Sequence, residues 1–97
     1  MNSAICAVIK KRAVIQFYYD GGTRIVEPYC HGTSTAGNEV LRGFQLGGHS
    51  VSGEPIRWKL FEVAKITDLQ ETGRRFNNLR PGYKPLDRGM SSVHCQA

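Results

Sequence analysis

The chain has 97 residues, of which 40% are hydrophobic, with thirteen Lys plus Arg against eight Asp plus Glu and a net charge of +5. That length suits one small domain with a modest core, and so a compact binding module, a very small enzyme or part of an assembly. The uncharged run 1–9 is too short to cross a bilayer and no later stretch reaches the roughly 18 apolar residues a spanning helix needs, so a soluble chain with no membrane partner is expected.

The charge is uneven. Residues 1–73 hold eight bases and seven acids, whereas 74–97 hold five bases, Arg74, Arg75, Arg80, Lys84 and Arg88, against Asp87 alone. An excess of this size makes an anionic partner worth considering. Cys6, Cys30 and Cys95 are odd in number and widely spaced, with no charged leader segment before the first apolar stretch. They read as reduced thiols in a cytoplasmic protein.

Asn2 or Ser3 can cap a first helix, and Ile5, Val8 and Ile9 follow at the spacing of one apolar face. Lys10, Lys11 and Arg12 then fall in its last turn, where the helix dipole favours cations, so they read as a solvated helix end rather than a nucleic-acid patch.

From Ala13 the pattern turns to β. AVIQFYYD is rich in β-branched and aromatic residues, is followed by a Gly-Gly pair and then by TRIVEPYC, and so predicts a hairpin. A turn centred on Gly21 and Gly22 sets Tyr19 opposite Arg24, whereas a turn centred on Asp20 and Gly21 slips every pair. Pro28 suits a strand end or an edge, because it cannot donate to a ladder.

HGTSTAGN is a polar loop, EVLRGFQLG a third strand, GGHSVSGEP a second Gly/Ser-rich loop, and IRWKLFEVAKI (56–66) a fourth strand. Consecutive short strands predict an antiparallel meander. In so short a chain this curls into a small barrel with the N-terminal helix over one opening, a mainly β fold. Residues 1–73 form this domain. Residues 74–97 read as a basic, partly irregular arm with a helical turn near Phe76, anchored by Leu79, Tyr83 and Leu86.

In their order, the basic-ended helix, IQFYY, RIVEP, VLRGF and KLFEVAKI resemble the WYL domain family over about residues 4–72. The resemblance implies an Sm-like or SH3-like barrel of the kind found in bacterial transcriptional regulators. Tyr19 matches the family's strand-one tyrosine, Arg24 and Pro28 its second-strand arginine and proline, and Leu41 and Gly43 the end of its signature. Lys59, Phe61 and Ile66 match positions of its later strand. Glu39-Val40 stands where the family's name has Trp-Tyr, so a divergent, standalone member is implied. The usual N-terminal helix-turn-helix is not expected, since twelve residues precede the first strand.

Arg24 is the leading candidate for binding: its guanidinium offers a planar fork of donors to a phosphate or carboxylate, with the Tyr19 phenol beside it. The competing reading is a cross-strand pair that simply packs. Arg42 and Lys59 extend the positive surface. Tyr18, Tyr19, Phe44 and Trp58 are candidate stacking residues for single-stranded nucleic acid, although Phe44 and Trp58 also suit the core.

Cys30-His31 and His94-Cys95 lack zinc-site spacing, no orienting residue completes a Cys/His nucleophile, and GGHSVSG lacks the Lys and helix of a phosphate loop. The expectation is a non-enzymatic regulatory module with no cofactor and no metal, recognising nucleic acid or a nucleotide-like effector. A protein-interaction or homodimer module, docking through a barrel edge or the arm, is the alternative.

Overall fold

The computed structural model describes residues 2–51, 53–83 and 88–97. It begins with α1 (Ser3–Lys11). Asn2 caps it by accepting the Ile5 N–H on Oδ1 at 3.1 Å, and Arg12 ends it in the left-handed region at φ 52°. Ile5, Cys6, Val8 and Ile9 form its buried face. The basic end behaves as a solvated helix terminus, with Lys11 paired to Glu71 and Arg12 donating to the Asn77 carbonyl.

Among the described residues six antiparallel strands follow: β1 (Ala13–Tyr19), β2 (Gly22–Ser34), β3 (Glu39–Gly48), β4 (Arg57–Glu62), β5 (Thr67–Arg75) and β6 (Met90–Gln96). The first four are sequential neighbours. A 3-10 turn, Val63–Lys65, then cuts the predicted fourth strand short and carries the chain into β5, which pairs with β1. The order is therefore β4-β3-β2-β1-β5, and β6 pairs with β2. The sheet is not closed: β4 and β5 end the path.

The β1–β2 turn corrects the expected Tyr19–Arg24 pairing. It centres on Asp20 and Gly21, at φ 42° and 91°, the left-handed pair that a two-residue hairpin turn of type I′ requires. Tyr19 therefore pairs with Gly22, and Phe17 with Arg24. Gly22 is needed there, because a Cβ on it would stand 2.2 Å from the His49 Cβ. Relative to the Gly21–Gly22 turn, each β1 residue meets a partner two places earlier in β2. An even slip preserves the faces, so Tyr19 and Arg24 still share one, diagonally rather than directly opposed.

The sheet has two covered faces. Under α1 lie Ile15, Phe17, Val26, Leu41 and Phe61, with Ile5, Val8 and Ile9 from the helix. On the other face Val14, Tyr29 and Phe76 are buried, with Phe44, Trp58 and Tyr83 packed against them.

Two details of the C-terminal segment differ from expectation. Phe76 forms no helical turn; its N–H donates to the Arg12 carbonyl and its ring packs 5.0 Å from that of Tyr29. Met90–Gln96 is a strand on the edge of β2, past the end of β1. Its polar SSVHCQ stretch carries no strong apolar alternation, so the vacant half-edge of a thirteen-residue partner decides its state. Tyr83 anchors the segment as expected, Leu79 is 39% exposed, and Leu86 lies outside the described residues.

Cys6 and Cys95 form a disulfide, and Cys30 is buried outside it. This corrects the expectation of three reduced thiols and removes the cysteines as an argument for a cytoplasmic setting. No described helix is long and apolar enough to cross a membrane.

Candidate anion site

The ladders decide which predicted residues meet. Phe17 pairs with Arg24, Val26 with Gln45, Gly43 with Lys59 and Gln45 with Arg57. Since side chains alternate along each strand, Tyr19, Arg24, Gln45 and Lys59 share the helix-side face, towards its helix-distant end. Arg42 pairs with Leu60 and falls on the opposite face with Phe44 and Trp58, which corrects its assignment to the same positive surface.

Arg24 is 3% exposed. Its Nη1 donates to Gln45 Oε1 at 3.3 Å, and its Cζ stands 5.3 Å from the Tyr19 ring centroid. Its buried Nε has no hydrogen-bond partner, and among the described residues no carboxylate pairs with it. A desolvated cation–π contact contributes about 2 kcal/mol, and a buried donor left without an acceptor costs about 1–3 kcal/mol. The guanidinium is held, but among the described residues no carboxylate neutralises its charge.

Neighbouring groups shape the surroundings. Tyr19 OH accepts the Glu62 N–H at 2.9 Å, so the ring reaches from β1 across the face to β4. Gln45 Nε2 donates to the Gly47 and His49 carbonyls, and the His49 N–H donates to the Thr23 carbonyl, laying the glycine-rich 47–50 segment against the hairpin.

Lys59 Nζ donates to Ser50 Oγ at 2.7 Å. Its pKa is held below the ordinary lysine value, first by burial, then by the charges of Arg24 and Arg57, with Glu54 acting the other way. Arg57 is itself ion-paired with Glu54. Two cations thus share one face within electrostatic reach of each other, and the buried acid Glu27 lies on the opposite face.

The other candidates are dispersed. Tyr18 is 47% exposed on the face opposite Tyr19, and Phe44 and Trp58 lie under the C-terminal segment, so no continuous stacking platform forms. His31 and Cys95 do pair across β2 and β6, and the rings of His31 and His94 lie 5.3 Å apart. Cys95 is nevertheless committed to the disulfide, and His31 is held by the Val40 carbonyl at Nδ1 and by the Asn2 N–H at Nε2. Among the described residues no group of three or more His, Cys, Asp or Glu is placed to hold a metal.

Sequence reasoning missed Gln45, His49 and Ser50. Gln45 had a readable signal, a polar residue in phase with inward Leu41 and Gly43. His49 and Ser50 had none, since the loop's path alone brings them in. No family model matches the chain, and neither a curated protein nor a solved structure matches it.

Proposed function

We propose that the chain is a non-enzymatic binding module that recognises an anionic ligand, a nucleic-acid segment or nucleotide-like effector, at Arg24 and Lys59. The observation that carries this reading is the buried Arg24 guanidinium with an unmatched Nε–H and, among the described residues, no carboxylate partner. A phosphate would supply the missing acceptor and neutralise both cations, and Ser50 Oγ would add a hydroxyl contact. On this reading the ligand reaches the guanidinium by displacing the 47–50 segment, which hydrogen bonds to Gln45 and Thr23 hold over it.

The resemblance to WYL domains supports the same reading, as does the course of β4, 3-10 turn and β5. That course returns the chain from the β4 edge to β1, as a small Sm-like or SH3-like barrel would require, and the Tyr19–Glu62 hydrogen bond links the same two regions. A regulatory role in a bacterial cytoplasm follows from the resemblance alone.

Fluorescence anisotropy of labelled single-stranded DNA and RNA, measured across a salt series, tests the site. Binding to the natural chain should weaken steeply with salt, and Lys59→Met should reduce the logarithmic salt slope by about 1. Arg24→Met should abolish binding while circular dichroism shows a folded sheet. Unchanged binding by both folded variants would remove the site.

A second reading has its own observation. β4 is a sheet edge with Leu60 39% and the preceding Ile56 66% exposed, a surface suited to pairing with a protein partner or a second copy. Association through that edge should persist in high salt and be lost on Leu60→Lys.

A further inference from the structure

The opposite face of the sheet carries an arrangement that the anion site does not use. Glu27, 6% exposed, lies on β2 beside Tyr29, Phe44 and Trp58. Four consecutive residues, Arg80-Pro81-Gly82-Tyr83, fill the acidic, aromatic slot these groups make.

Arg80 enters as a fork. Its Nε donates to Glu27 Oε1 at 2.7 Å and its Nη2 to Oε2 at 3.3 Å, while its Cζ lies 4.3 Å from the Phe44 ring centroid. Its backbone N–H donates to Tyr29 OH at 3.1 Å. Gly82 crosses the indole, where a Cβ would stand 3.1 Å from Trp58 Nε1. The Tyr83 ring stacks over Trp58 at 6.1 Å and 23°, and lies 5.0 Å from Tyr29.

The conformation of the occupant is locally specified. The Tyr83 N–H donates to the Arg80 carbonyl at 3.2 Å and Gly82 has φ 92°, which makes Arg80–Tyr83 a β-turn with Pro and Gly at its centre, the preferred residues of a type II turn. Such a turn needs little from the rest of the chain to hold its shape. The slot matches it in charge as well as form, because a carboxylate this buried demands a cation and a bidentate guanidinium satisfies it best.

We propose that this face is a peptide-recognition slot for Arg-Pro-Gly-aromatic turns of a partner protein, occupied in cis by the chain's own residues 80–83. The cis turn acts as a tethered competitor at an effective concentration in the mM range. It therefore suppresses binding in trans until it is displaced.

The chain's single tryptophan, Trp58, reports on the slot. The probe is a capped synthetic Asn-Leu-Arg-Pro-Gly-Tyr peptide, followed by Trp58 fluorescence with excitation at the red edge, where tyrosine is silent. Two unmasked chains are compared with the natural one: Gly82→Val, and Arg80→Ser combined with Tyr83→Ser. Both should bind the peptide at least about tenfold more tightly than the natural chain does, since the competing cis occupancy is gone.

A peptide with Ala in place of Arg should lose that gain, and Glu27→Gln in either unmasked chain should lose it as well. Folded unmasked chains that bind no better than the natural one, or that take both peptides alike, overturn the proposal. If neither unmasked chain folds, the natural chain is titrated with both peptides into the mM range. Displacement by the Arg peptide alone then supports the slot, and an unchanged Trp58 signal rejects it.

Discussion

Arg24 and Glu27, three positions apart on β2 and facing opposite sides of the sheet, show two treatments of a buried charge. Glu27 has the bidentate Arg80 and the Tyr29 hydroxyl, which donates to it at 3.0 Å. Among the described residues Arg24 has an amide and a ring. Tyr29 records the acidic environment: its pKa is pushed up to about 12, first by burial and then by Glu27. A phenol with a raised folded pKa favours the fold below the unfolded value of about 10, and that contribution is lost as pH rises through about 12. Ultraviolet titration should therefore show one tyrosine ionising near pH 12, as the fold gives way, and Tyr29→Phe should remove that step. Lys59 has the opposite sign. Its lowered pKa means that the ammonium form opposes folding at neutral pH, with relief as pH rises through the folded value. Lys59→Met should raise the urea midpoint at pH 7, with the advantage shrinking in alkali, while it weakens anion binding.

At the scale of elements, β2 organises the fold. One edge pairs with β3 along most of its length, and the other is shared between β1 and β6. The β6 contact is close: a Cβ on Gly32 would stand 2.1 Å from the Ser92 carbonyl oxygen. Gly32→Ala should push β6 away and cost roughly 1–3 kcal/mol, with hydrogen-exchange protection lost first across Met90–Gln96. The first four strands were legible because β-branched and aromatic runs between turn residues mark them, although the fourth ends at Glu62, short of the expected Ile66. β5 and β6 were not, since TDLQETGRR and MSSVHCQ lack apolar alternation. Both are strands because a neighbour's unpaired edge satisfies their backbone groups. The hairpin failed in register and not in kind: Asp-Gly and Gly-Gly both suit a primed turn, and the fit of His49 against Gly22 accompanies the one adopted.

For the whole molecule, the Cys6–Cys95 disulfide ties α1 to the last strand across 89 positions of sequence. Loop-closure entropy for so long a span gives a contribution of about 4–5 kcal/mol, and removal of native disulfides from small domains costs about 2–5 kcal/mol. Cys6→Ser should lower unfolding stability by an amount in that range under oxidising conditions, and reductant should bring the natural chain down to the variant's value. The amino-acid sequence by itself determined the capped helix, the mainly β antiparallel class, the hairpin and the presence of a cation, Arg24, within a strand. These depend on local periodicity, turn chemistry and a charge placed inside a strand. Tertiary structure alone decided that Arg42 faces away from Arg24, that Lys59 joins it, that 80–83 folds onto Glu27, and that Cys6 meets Cys95. Each of these depends on ladder register or on contacts between residues far apart in the chain, and local composition carries no record of either.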